Sequence, residues 1–74
     1  MDLALASAAH VELAVFDVAG RRVRTLARAS LAAGRHPVTW DGRDDGGRVL
    51  GAGVYLVRAN AGGRVLTQRV LRVR

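Results

Sequence analysis

Seventy-four residues hold one domain at most, and a chain that short buries only about 60% of its unfolded surface, so its core is small. With no Cys there are neither disulfides nor thiolate metal sites; an apolar share of 50% argues against disorder; and no apolar run approaches the ~18 residues of a membrane-spanning helix. The net charge of +6 comes from Arg with no Lys, and the arginines are scattered as the polar positions of strands and turns would be, although a basic balance always raises nucleic acid and acidic surfaces as partners.

The opening "MDLALASAAH" reads as a strand and not as a signal peptide, because it carries Asp2 where a basic segment belongs and is too short. In the next segment Val11, Leu13 and Val15 share one face and Glu12, Ala14 and Phe16 the other, the period of two expected of a strand. "DVAG" (17–20) is a turn in which Gly20 is free to take positive φ. In "RRVRTLAR" Val23 and Leu26 stand three apart, so the strict pleat fails and the segment is bulged or a short edge strand. "ASLAAGRH" reads as a connection ending at Gly34, and "TLARASLAA" is the one place where a helical turn fits.

Alternation resumes in "HPVTW", with His36, Val38 and Trp40 on one face and Pro37 marking an edge or the first residue of the strand. "GVYLVRANA" sets Tyr55, Val57 and Ala59 against Val54, Leu56 and Arg58, and Gly62-Gly63 signals a tight hairpin. "RVLTQRVLRVR" closes the chain, with Leu71 and Val73 expected to face inward. Six strands, or seven, joined by short Gly-rich turns, predict an all-β sandwich or barrel.

"WDGRDDGGRVLGAGVY" (40–55) holds Asp41, Asp44 and Asp45 with five glycines. The three carboxylates do not alternate as Ca²⁺ ligands do, and Ala52 stands where an EF-hand needs its Glu, so only a weak Ca²⁺ site over 41–47 is left as a ligand reading. A phosphate cradle fails because "GAG" precedes a strand rather than a helix. The plain reading is that Asp and Gly build successive turns, Asp through local side-chain bonds and Gly through left-handed φ. His10 and His36 lie in different segments with no third ligand, neither Ser7 nor Ser30 sits in a nucleophile elbow, and no carboxylate pair has an acid–base context. The chain is read as a non-enzyme without cofactor or metal.

Several residues recur in a recognisable frame: Phe16-Asp17, Gly20-Arg21, Val23 to Leu26, Gly34, His36, Trp40-Asp41-Gly42, Asp44, Gly47, Val49, Gly53 and Tyr55. In their order and spacing, residues 11 to 74 resemble the C-terminal Ig-like modules of bacterial secreted proteins, both the type A sorting domain of type IX secretion and the Ig-like domain of the flagellar hook-capping protein (FlgD-type). The resemblance implies an antiparallel Ig-like (fibronectin III-like) β-sandwich of six to seven strands over residues 1–74, the C-terminal module of a longer protein. It makes Asp17, Gly20, Arg21, Gly34, Asp41, Gly42, Asp44, Gly47 and Gly53 turn or connection residues, with Trp40 anchoring the core and Tyr55 starting a buried strand.

The leading expectation is a sorting signal read by type IX secretion machinery, with Arg69, Arg72 and Arg74 of the last strand as the protein contact. The second is a structural or assembly module of the hook-capping kind, packed against neighbouring domains. The third, from another class, is nucleic-acid binding through the Arg-rich strand faces. The resemblance places the protein outside the cell or on its surface, after passage through the periplasm.

Overall fold

A computed structural model describes residues 2–73. It contains six strands: β1 (Asp2–Leu5), β2 (Ala9–Phe16), β3 (Arg22–Leu31), β4 (Gly34–Pro37), β5 (Gly53–Ala61) and β6 (Arg64–Arg72). All pairings are antiparallel. Four strands form one sheet in the order β3-β2-β5-β6, and β1 pairs with β4 in a second, two-stranded sheet. The architecture is an all-β, Ig-like sandwich. There is no helix among the described residues, so the helical turn expected within "TLARASLAA" is a correction.

The core lies between the sheets. It is built from Leu3 of β1, Val11, Leu13 and Val15 of β2, and Val57 and Ala59 of β5, with no buried polar residue among the described ones. The alternation of β2 and β5 explains this directly, since period two sends Val11, Leu13 and Val15 to one face and aligns Val15 with Val57 and Leu13 with Ala59.

β3 is both an edge strand and bulged. Leu13 pairs with Ala27 but Ala14 with Thr25, and Val15 pairs with Arg24 but Phe16 with Arg22. Leu26 and Val23 are therefore the extra residues of two bulges, and both pack against the core. Their spacing of three, which breaks a strict pleat, is the trace of that double shift. β3 also runs on to Leu31 through pairing with Ala9 and His10, so Ala29–Leu31, expected to be connection, are strand. Pairing across the sheet overrides the weak strand preference of an Ala/Ser run.

The strand expected at "HPVTW" is displaced. β4 occupies Gly34–Pro37 and ends at Pro37, whereas Val38, Thr39 and Trp40 lie beyond it. A proline cannot donate to a ladder, and here it closes the strand rather than opening it. The facing survives without regular strand structure: His36, Val38 and Trp40 are the half-buried positions.

Gly62 and Gly63 form the expected two-residue hairpin, with φ of 56° and 84°. That turn pairs Ala61 with Arg64 and, continuing, Tyr55 with Val70 and Val54 with Leu71. Leu71 and Val73, expected to face inward, are instead 69% and 74% exposed, and Val70 packs against the core. The hairpin sets the parity of β6, and a shift of one residue exchanges its faces.

Leu13→Ala is expected to cost about 2–5 kcal/mol by removing a fully buried side chain. On β6, Val70→Ala is expected to cost about 1–2 kcal/mol, and Leu71→Ala to stay within about 0.5 kcal/mol despite its larger side chain. Urea unfolding of the three variants checks both the core and the register.

Candidate functional site

The Asp- and Gly-rich stretch and the turn after β2 contain the same five-residue device. In "DVAGR" Ala19 and Arg21 N–H donate to Asp17 Oδ1 at 3.0 and 2.9 Å. In "DDGGR" Gly46 and Arg48 N–H donate to Asp44 Oδ1, both at 2.9 Å. In each turn the Asp N–H donates to the Arg carbonyl at 2.9 Å, and the Gly N–H donates to the Asp carbonyl at 3.0 Å. Gly20 and Gly47 both have φ of 87°, where a side chain is strained. The turns are closed by antiparallel pairs, Phe16 with Arg22 and Arg43 with Val49. The Asp-x-x-Gly-Arg spacing was present twice in the sequence and is the signal that could have matched the two turns. They lie side by side, Arg21 and Arg22 sharing a shallow groove with Asp44, Asp45 and Arg48.

Asp17 is held below its ordinary carboxyl value of 3.8, first by the backbone N–H of Arg21, then by the Arg21 side chain, the Ala19 N–H and the Arg21 charge, with partial desolvation opposing. Arg21 Nε lies 3.4 Å from its carboxylate.

The rest of the loop docks on β3. Asp45 N–H donates to the Val23 carbonyl at 3.0 Å, and Thr25 N–H donates to Asp45 Oδ1 at 2.9 Å. Asp45 thus occupies the free edge of β3 as a neighbouring strand would. Arg24, set between the two bulges, donates to the carbonyl of Asp44 at 3.1 Å and lies 3.7 Å from Asp41 and 3.9 Å from Asp45. Asp45 and Arg24 do positioning work that sequence reasoning did not assign them.

Behind the loop, Trp40 and Tyr55 meet edge to face, centroids 5.1 Å apart and planes at 66°. Trp40 Nε1 donates to the Arg43 carbonyl at 2.9 Å, and Tyr55 Oη donates to the Gly51 carbonyl at 2.8 Å. A tyrosine near the start of a strand bonding back to the preceding backbone is the corner seen in Ig-type sandwiches. Trp40 packs at the margin of the core and is half-buried. Arg72 reaches across from β6, its guanidinium 5.9 Å from the Trp40 ring centroid and its Nε donating to the Leu50 carbonyl at 3.3 Å. Gly42, at φ 80°, leaves the space that this guanidinium fills; an added Cβ would overlap it.

The structure therefore gathers Trp40, Gly42, Tyr55 and Arg72 into one cluster, with Asp41 and Asp44 in the loop above and Gly53 opening β5. Asp41 Oδ1 accepts the Arg43 N–H at 3.0 Å. Gly34 stands apart, opening β4 at φ 127°. Of the three arginines expected to contact a partner, Arg69 is exposed, Arg72 is engaged within the fold, and Arg74 lies outside the described residues. Among the described residues no three His, Asp or Glu side chains are grouped to hold a metal ion. In the 41–47 loop each Asp has an Oδ1 engaged by a backbone N–H. No helix of the described residues is long and apolar enough to cross a membrane.

What this arrangement offers is shape. Its carboxylates hold backbone, its arginines bridge a loop to two strands, and its aromatics close one end of the core. A family model, the FlgD Ig-like domain, matches residues 1–64. The chain belongs to the FlgD Ig-like domain family. The match spans β1 to β5 and reaches the first residue of β6. No curated protein and no solved structure gives a significant match.

Gly47→Ala, with nothing within 4 Å of the added Cβ, is expected to cost only the left-handed φ penalty, about 1–2 kcal/mol. Gly42→Ala should cost more and also change the emission of Trp40, because Arg72 must leave the ring. Because the folded-state pKa of Asp17 is lowered, its contribution is complete above the unfolded value of 3.8 and declines as pH falls through the folded one. Asp17→Asn is therefore expected to flatten the acid limb of stability against pH, measured by urea unfolding across that range.

Proposed function

We propose that this chain is a non-catalytic Ig-like assembly module of the flagellar hook-capping kind, packing against neighbouring domains or subunits of an exported protein. The family match over residues 1–64 carries the reading. The polar residues of the loop support it, since they are spent on turn geometry and on docking the loop to β3. On this reading the partners are proteins, the module works outside the cytoplasm, and residues 1–74 form one unit of a longer chain.

A sorting signal for type IX secretion is the second reading. It is favoured by the basic final strand, most of which lies beyond the family match. It would have to use Arg69 and the end of β6, because the Arg72 side chain already serves Trp40 and Leu50.

Epitope-tagging the parent protein within this module, followed by fractionation of cells, envelope and medium, separates the two. The expected outcome is a tag that stays covalently joined to the parent and elutes in a large extracytoplasmic assembly. A tag cleaved away while the rest of the parent is released into the medium would replace this reading with the sorting signal. A monomeric, cytoplasmic parent would overturn both.

A further inference from the structure

The net charge of the protein is not spread over the fold. Up to residue 45 six arginines are offset by six carboxylates; from residue 46 onward there are six arginines and no Asp or Glu. The whole excess of +6 therefore belongs to the last part of the chain, which is chiefly the β5–β6 hairpin. Every side-chain ion pair among the described residues lies elsewhere, joining Arg21, Arg24, Arg28 and Arg35 to Asp17, Asp41, Asp45, Glu12 and Asp2. Arg58, Arg64, Arg69 and Arg72 have no described carboxylate within 4.0 Å.

The two edges of the four-stranded sheet are also treated differently. The β3 edge is occupied by Asp45 at Val23 and Thr25 and by the loop that Arg24 holds. Among the described residues no strand pairs beyond β6. A two-residue hairpin closes on a pair that exchanges both its hydrogen bonds, and bonded pairs alternate from there. Ala61 and Arg64 are that pair, so the backbone N–H and C=O groups of Val65, Thr67, Arg69 and Leu71 point away from β5. Beside this open row Val65, Leu66 and Leu71 are 55%, 47% and 69% exposed. Proteins ordinarily protect an edge of this kind, because it templates strand addition.

We infer that β6 is a docking edge for an extended acidic segment of a protein partner, which adds as a fifth strand and alternates carboxylates with aliphatic side chains. Successive side chains of β6 alternate between faces, so Arg69 shares the outer face with Val65, Thr67 and Leu71, and Arg64 the core-side face with Leu66 and Val70. Carboxylates of the added strand meet Arg69 on the outer face, its aliphatic residues extend the row of Leu66 and Val70 on the other, and the backbone groups of the two strands pair. A second copy of this chain is a poor occupant, since β6 against β6 sets arginines against arginines without a carboxylate on either side. Nucleic acid is also disfavoured, because Val65, Leu66, Val70 and Leu71 interrupt the arginines with apolar side chains and β6 carries no aromatic on which a base could stack. This deepens the assembly-module reading and rests on it for the class of partner.

The test uses residues 1–74 with a soluble synthetic peptide of alternating Glu and Val, a Lys-Val peptide of the same length, and a single-stranded oligonucleotide. Binding is measured by calorimetry and located by amide hydrogen exchange. The Glu-Val peptide is expected to bind, and to slow exchange at Val65, Thr67, Arg69 and Leu71. Thr67→Pro removes one outward N–H without touching the β5 ladder and is expected to abolish binding. Arg69→Glu is expected to weaken Glu-Val binding by on the order of tenfold and to transfer preference to Lys-Val. Urea midpoints and Trp40 emission confirm that both variants fold. Equal binding of the two peptides, protection at other amides, or self-association through β6 would overturn the proposal. So would oligonucleotide binding that protects β6 in place of the peptide. Absence of peptide binding with an intact extracytoplasmic assembly would remove the edge and leave the module reading standing.

Discussion

A two-stranded sheet has to cover a four-stranded one, and most of the structure follows from that imbalance. β1 and β4 contribute only Leu3 to the fully buried core, where it meets the aliphatic stripe of β2 and β5. The remaining cover comes from irregular chain, and irregular chain needs its backbone groups satisfied. The loop from Asp41 to Leu50 meets that need with side chains it carries itself, then fastens to β3 through Asp45 and Arg24 and to β6 through Arg72. Trp40 and Tyr55 lie beneath it as the apolar closure that a third strand of the small sheet would otherwise supply.

This use of polar side chains also shapes the electrostatics. Carboxylates fixed to backbone N–H groups sit where turns are, and the turns of this kind lie at one end of the sheet, between β2 and β3 and in the loop beside them. The hairpin joining β5 to β6 turns with two glycines and needs no carboxylate. A difference in turn chemistry thus accompanies a division of charge along the chain: residues up to 45 are balanced, the β5–β6 hairpin carries arginine without carboxylate, and no polar or charged residue is buried among the described ones.

Much of the fold was legible in the residues. Period-two alternation located β2 and β5, Gly62-Gly63 located the final hairpin, and Gly20 marked the turn into β3. What escaped was information that resides between strands. Whether Leu71 or Val70 faces the core depends on the pairing that the hairpin imposes, and both parities look apolar in "RVLRVR". The extension of β3 to Leu31 depends on Ala9 and His10 being opposite, which no local preference shows. In the candidate site, the turn roles of Asp and Gly could be read from residue chemistry, whereas the contact of Arg72 with Trp40 spans the sequence from the loop to the last strand and has no local signature.

The two bulges of β3 have a consequence for how such a chain can vary. Each extra residue shifts the facing of the strand by one place, so Leu26 moves Thr25 and Arg24 out of phase and Val23 restores the phase before Arg22. Arg24 points toward the loop because it lies in that short out-of-phase interval. Losing one of the two residues would leave the remainder of the strand inverted, whereas losing both would keep its outer parts in step and sacrifice only the arginine's aim. Insertions and deletions in this strand are therefore tolerable in pairs, and lineages that drop the pair should also have lost the arginine anchor of the loop.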